Sequence, residues 1–351
     1  MSEAHHSSTG GATRNGSWLD PIRAVQDKPW WPWTKRALVL VFFVVVASLL
    51  FHQAAKIDWS KVAESMGQQT PGTLAIAGLL GLSSHAVYSS FDLFGRRVTG
   101  HRLPTLKVMV TTFVSYVFNL NVGILIGGLG FRYRLYARQG LPAEMTTTVI
   151  AISMLTNWLG FLLLGGFLLM VRPPELPGDW VISANILRIA GVVMVCLAGA
   201  WQLACAFSTR REWQFGESTI TLPNGRMSAL QLFASAINWS LMGAIVYVLL
   251  GREIAYLSVL TTLLVGAVAG LIIRVPAGLG VFEAVFVGLL GSQASSSDLI
   301  GALLLYRAFY YLAPLAPALV LQWWIESNAS ESDAGEAAQA RLQPATGNAA
   351  A

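Results

Sequence analysis

Arg274-Val-Pro-Ala-Gly-Leu-Gly-Val-Phe-Glu283 places two opposite charges, a proline and two glycines inside a long run of otherwise apolar residues. A charge at membrane depth costs from about 3 to above 10 kcal/mol unless it finds a partner, so such a residue marks a site by default. Pro276, Gly278 and Gly280 interrupt a helix, and inside a bilayer broken backbone persists only where protein or a polar cavity surrounds it. The stretch therefore reads as a helix break or re-entrant turn, with those three residues forming the turn. On the next apolar run, Leu305-Tyr-Arg-Ala-Phe-Tyr-Tyr311 carries Arg307 to a similar depth and makes it the candidate partner of Glu283.

Composition agrees with that reading. The chain has 351 residues, 54% hydrophobic and 12% charged, with a mean hydropathy of +0.57. These values describe an all-α polytopic integral membrane protein, because only helices or closed barrels satisfy their backbone in lipid. The net charge of +5 is what cytoplasmic loops facing anionic head groups produce, and it argues against nucleic acid as a partner. Cys196 and Cys205 fall on different faces of one apolar segment and read as small buried hydrophobes, with no disulfide and no metal site.

Outward from the centre, the chain divides into a disordered cytoplasmic arm (1–34), a membrane domain (35–325) and a disordered polar tail (326–351). Trp30, Trp31 and Trp33 followed by Lys35-Arg36 form an interfacial anchor with a basic flank, which places the N-terminus in the cytoplasm. A first span is expected over Ala37 to Ala55, and a second from Thr70-Pro71, a cap followed by proline at the first helical position. Further spans are expected over Met145 to Val171, Val181 to Phe207 (with Arg188 reaching the interface), Met227 to Leu250, Ala255 to Ile273, and from Ser295-Ser-Ser-Asp298 to Ile325, kinked by Pro314 and Pro317. In all, about seven to eight membrane helices plus broken or re-entrant segments are expected.

Charge and hydropathy conflict at Val108 to Gly130. The run is long enough to cross, yet Arg96, Arg97, Arg102 and Lys107 before it and Arg132, Arg134 and Arg138 after it all look cytoplasmic. Asn119, Asn121 and several glycines spoil its second half as a helix, so a re-entrant hairpin is expected, with Gly128 and Gly130 as its structural turn. Phe131 to Arg138 should then lie in the interface among head groups. His85 and Asp92 share a helical face, and the reading preferred for them is a helix end reaching head groups. Trp213 to Leu222 alternates in polarity and suggests a small hairpin closed by Asn224-Gly225.

Gly-Leu-Gly recurs at 128–130 and 278–280, each time in an interrupted apolar run, which suggests an inverted internal repeat with a transporter-like site between its halves. Arg274 to Glu283, Tyr306-Arg307 with Tyr310-Tyr311, and Gly128-Leu-Gly-Phe-Arg-Tyr-Arg-Leu-Tyr136 together resemble the transmembrane region of the lysylphosphatidylglycerol synthase and flippase family, with which inner-membrane proteins of the YbhN type belong. The likeness covers roughly residues 35–325, and Ala277 departs from it where relatives usually have glycine. It implies movement of a lipid between leaflets, without the separate soluble domain that performs aminoacyl transfer.

No Walker, zinc-protease, Cys-x-x-Cys or nucleophile-elbow motif occurs, so no catalytic residues, no metal and no cofactor are expected. Arg274, Glu283, Arg307, Tyr310, Arg132 and Arg134 are the candidate substrate-binding residues. The expected function is translocation of an anionic phospholipid or lipid-linked intermediate across the bacterial inner membrane. An accessory subunit of a lipid-synthesis enzyme and an intramembrane lipid-modifying enzyme are the alternatives. Partners are anionic phospholipids and, in the second reading, that enzyme.

Overall fold

The computed structural model describes residues 44, 48, 59–174, 183–209, 212–215, 218–273 and 280–325. Two compact units divide the chain, Met1–His52 and Gln53–Ala351. Of the first, Val44 and Ser48 are described, both helical. The N-terminal arm with its tryptophans, most of the expected first span, Arg274, Pro276, Ala277, Gly278 and the C-terminal tail lie outside the described residues.

The second unit begins with α1 (Trp59–Gln68) and α2 (Pro71–Ser89). Thr70 caps α2, its hydroxyl accepting from the Thr73 N–H at 3.2 Å, and Pro71 occupies the first helical position. Next come α3 (Phe91–Thr99), which continues α2 as one span, and α4 (Thr105–Val122). After Gly123 a π-helical arm, Ile124–Gly130, leads into α5 (Phe131–Arg138). The long helices α6 (Ala143–Val171) and α7 (Ala184–Phe207) follow. Strands β1 (Glu212–Phe215) and β2 (Ser218–Thr221) then pair antiparallel. The remaining helices are α8 (Gly225–Leu249), α9 (Tyr256–Ile273), α10 (Val281–Leu290) and α11 (Ser296–Arg307). Beyond α11 a π turn, Ala308–Leu312, carries the same span on to Ile325. Among the described residues, six helices are long and apolar enough to cross a membrane.

The expected β hairpin is present, but its closing residues differ. The strands close at Phe215 opposite Ser218, and Asn224 caps α8 instead, its Oδ1 accepting from the Met227 N–H at 2.8 Å. Asparagine serves both turns and caps, and the helix beginning at Gly225 used it as a cap.

The backbone turns back at Gly123, which has φ +100°. Past it the π-helical arm retraces α4. A Cβ on Gly127 would strike the Phe118 carbonyl and one on Gly128 would meet the Asn119 side chain. Phe131 stacks on Phe118 with centroids 4.0 Å apart, and Gln139 Nε2 donates to Thr111 Oγ1 at 2.7 Å. The chain has thus returned to the end where α4 began, beside Arg96, which donates to Thr105 Oγ1 at 2.6 Å. This is the re-entrant hairpin that the charges require. Its turn residue is Gly123, however; Gly128 and Gly130 lie in the returning arm, and Gly130 has ordinary right-handed backbone.

A second hairpin enters from the opposite end. Helix α8 runs antiparallel to α2, with Gln69 Nε2 donating to the Leu249 carbonyl at 3.3 Å, so α9 starts at the end where α2 starts. Beyond residues 274–279, α10 folds back along α9: Phe282 packs on Gly266, and Leu289, Leu290 and Gln293 face Ser258, Thr261 and Thr262. Ser295, accepting from the Asp298 N–H at 3.2 Å, then starts the last span at that same end. An 18-residue helix, a reversal of direction, a short return arm and a long crossing helix of 29 or 30 residues therefore occur twice, from opposite ends. The inverted repeat suggested by Gly-Leu-Gly is present in the architecture.

Small residues let the long helices approach. Gly160 of α6 sits against Ser235 of α8, and Gly166 against Gly191 of α7, the packing expected where lipid supplies no hydrophobic drive between helices. Helix α7 turns Ile189, Val193, Leu197 and Phe207 outward, a lipid-facing stripe. Cys196 shares this exposure while Cys205 is buried. The expectation of two buried cysteines fails for Cys196 because α7 packs on its neighbours along one side.

Candidate functional site

Glu283 is the third residue of α10, and its position follows from Gly280. That glycine stands at φ +79°, and its N–H donates to Glu283 Oε2 at 2.9 Å. A carboxylate at the first turn of a helix is also favoured by the helix dipole. Arg307 reaches it from the end of α11, with Nε at 3.0 Å from Oε1 and Nη2 at 3.2 Å from Oε2. The guanidinium thus meets both carboxylate oxygens, the bidentate geometry that gives arginine pairs their strength. Arg307 is 5% exposed and Glu283 18%, so the guanidinium is buried and the carboxylate partly open. The Tyr311 ring lies 6.0 Å from the guanidinium carbon.

A second charged pair lies toward the basic end. Arg132 of α5 stands 3.4 Å from Asp92 Oδ1, and the Tyr136 hydroxyl donates to Asp92 Oδ2 at 2.8 Å. Both charges are buried, and the Arg132 guanidinium lies 6.0 Å from the Tyr88 ring. The expectation that Asp92 reaches head groups is corrected: α5 crosses over it and supplies its partners. Helix α5 likewise does not simply float in the interface, since Phe131, Leu135 and Tyr136 are fully buried. Arg134, two positions from Arg132 and so on another face of α5, is half-buried. Arg132 and Arg134 therefore do not form one cationic cluster, and Arg132 does not join Glu283 and Arg307.

Tyr310 belongs to a third group, in the middle of the last span. Pro314 has no N–H to give the Tyr310 carbonyl, and the backbone responds with a π turn, Ala313 N–H bonding to Ala308 O at 2.8 Å. The carbonyls left over are taken by side chains. His85 Nε2 lies 3.0 Å from Tyr310 O, and Asn121 Nδ2 donates to Tyr311 O at 2.9 Å. The Tyr310 hydroxyl meets Ser84 Oγ at 2.9 Å and Tyr116 OH at 3.0 Å, while Ser84 donates to Asn238 Oδ1 at 2.8 Å. Since Ser84 spends its proton on Asn238, Tyr310 donates to Ser84 and Tyr116 to Tyr310. Four elements meet in this network.

Of the residues expected in one site, Glu283 and Arg307 are brought together, Tyr310 stands one turn away facing α2 and α4, and Arg132 forms a separate pair. Ser84, Tyr116, Asn121 and Asn238 were missed as a group. Their signal was present, since each is polar within an apolar run and Pro314 announces an unpaired carbonyl four residues earlier. His101, in the loop after α3, has its pKa pushed down by partial burial and then by Arg96.

The sequence matches the family described as the lysylphosphatidylglycerol synthase TM region over residues 37–318. It is 38% identical to the inner membrane protein YbhN of Escherichia coli K12, covering 87% of this chain and 96% of that protein. An uncharacterised Synechocystis protein is 30% identical over 80% of this chain and 88% of its own length. Phosphatidylglycerol lysyltransferase of Staphylococcus haemolyticus is 24% identical over 82% of this chain, a match that spans 33% of the enzyme. With six membrane-length helices among the described residues and two opposed hairpins, this multi-pass bacterial inner membrane protein belongs to the lysylphosphatidylglycerol synthase TM-region family.

Proposed function

We propose that the chain moves an anionic phospholipid or lipid-linked intermediate between the leaflets of the inner membrane, holding the head group at Glu283 and Arg307 while the acyl tails stay in hydrocarbon. The observation that carries this reading is the bidentate pair at the second hairpin, with its guanidinium buried and its carboxylate partly open. A phosphate competes with Glu283 for the same guanidinium face. When Arg307 turns to it, Glu283 keeps the Gly280 N–H and the helix N-terminus as partners, so neither charge is stranded at any stage. The hairpins entering from opposite ends supply a scaffold for alternating access. The lysyltransferase relatives carry phosphatidylglycerol in their name, which favours a glycerophospholipid cargo. On this reading the chain performs no aminoacyl transfer, and the basic end with Arg96, Arg102, Lys107 and Arg138 faces the cytoplasm, as does the N-terminus.

The test is leaflet exchange of a fluorescent phosphatidylglycerol in proteoliposomes with matched amounts of parent, Glu283→Gln, Arg307→Gln and Arg307→Lys. Both single neutralisations should lower exchange at least tenfold, because Glu283→Gln strands the buried Arg307 guanidinium between head groups and Arg307→Gln removes the cation that receives the phosphate. Arg307→Lys should recover little, lacking the fork. Parent-like exchange by correctly folded Glu283→Gln and Arg307→Gln favours the accessory-subunit reading instead.

A further inference from the structure

His85 stands in the middle of the span Pro71–Thr99 and is 2% exposed. Its Nε2 faces a carbonyl, which can only accept, so Nε2 carries a hydrogen whatever the charge of the ring. Nδ1 is buried and has no hydrogen-bond partner among the described residues. Three aromatic rings surround the imidazole: Tyr310 stacks on it at 4.6 Å, and Tyr116 and Phe113 approach edge-on at 5.5 and 5.6 Å. Burial disfavours a charge on this ring, and the stacked Tyr310 face together with the carbonyl on the opposite nitrogen offsets part of that cost. The titratable groups around it are accounted for. On its own helix Tyr88 lies one turn on, and Asp92, two turns on, is bound to Tyr136 and Arg132. Helix α4 contributes Tyr116, α8 the neutral Asn238 through Ser84, and the last span Tyr310, with Arg307 one turn earlier held by Glu283.

We propose that His85 Nδ1 is a proton-binding site at mid-membrane and that lipid movement by this protein is coupled to protons. The proton enters from the water on one side when the aromatic box opens, binds the Nδ1 lone pair to give an imidazolium, and leaves to the other side. No other bond is made or broken. Coupling follows from the position of the bonded carbonyl. Nε2–H holds the π turn that Pro314 created, and that turn sits directly after Arg307, so charging the ring strengthens its grip on the segment that orients the head-group site. The inference rests on the translocation reading and adds the driving ion to it.

The experiment uses parent protein and His85→Gln, whose amide can still donate to the Tyr310 carbonyl. In phosphatidylglycerol-containing proteoliposomes, an imposed difference of about two pH units should change parent leaflet exchange severalfold. His85→Gln should retain exchange but lose that response. A parent rate indifferent to the gradient overturns the proposal without recourse to any variant, as does a His85→Gln rate that responds like the parent. If the parent exchanges no lipid, the translocation reading fails by itself and a second measurement decides the proton site. Weakly buffered detergent-solubilised protein is mixed with phosphatidylglycerol micelles and proton uptake or release is followed with a pH dye. About one proton per parent molecule and none for His85→Gln supports the site; equal traces overturn it.

Discussion

Among the described residues nothing beyond its chain neighbours lies within 4 Å of the place a Gly280 Cβ would occupy, so the lack of a side chain there serves the φ of +79° and not a close approach. Gly280→Ala should therefore cost about 1 kcal/mol and Gly280→Val more. Both should read out as a lowered thermal midpoint in detergent and as weaker exchange, because the same turn aims the amide that holds Glu283. His101 offers a different check. Its pKa lies below the ordinary value, so the unfolded chain takes the proton first: stability is complete above about pH 6.5 and falls as pH drops toward the folded pKa. Thermal midpoints should decline modestly between about pH 7.5 and 5.5 in the parent, and the slope should flatten in His101→Gln. The pairing of Glu283 with Arg307 was legible because a charge in an apolar run must find a partner at similar depth. Asp92 was not, because its partners arrive from α5 with no local pattern to announce them.

At the scale of the element, Pro314 is the residue whose loss should be most informative. Pro314→Ala restores an N–H four residues after Tyr310 and lets the backbone compete for the carbonyl that His85 now holds. A regular helix would also retract the Tyr311 carbonyl from Asn121. The expected outcome is a protein at least as stable to heat whose lipid exchange drops several-fold; unchanged exchange would show that the π turn is only a packing accommodation. The sequence announced the kink but not its use, since proline says that a carbonyl is freed and leaves the taker to tertiary structure. The first hairpin was legible through its flanking arginines. Its turn was misplaced to Gly128 and Gly130 because, in a glycine-rich run, spacing does not reveal which glycine needs positive φ and which needs only closeness.

For the whole molecule, the two hairpins fix which loops share a face. With Cys196 and Cys205 removed, single cysteines at His101 and Gln139 should react alike with an impermeant thiol reagent, and a cysteine at Glu253 should react from the other side. His101 and Gln139 labelling from opposite sides of intact cells would contradict the retracing of α4. Fold class and opposed repeat were readable in outline because lipid permits so few solutions for backbone polarity. The separation of the polar residues into three groups was not, because it depends on which helices touch.

The mid-membrane network also dictates when this protein can finish folding. Ser84 and His85 bond to Tyr310, 226 and 225 positions later in the chain, and Asn121 to Tyr311, 190 positions later. At a synthesis rate of about 5–20 residues per second, these polar groups wait on the order of ten seconds or more for their partners. During biogenesis the earlier helices must therefore linger near the insertion machinery or keep water beside them. The last helix acts as the keystone, and a nascent chain stalled before it presents the cell's membrane proteases with an unmistakably incomplete substrate.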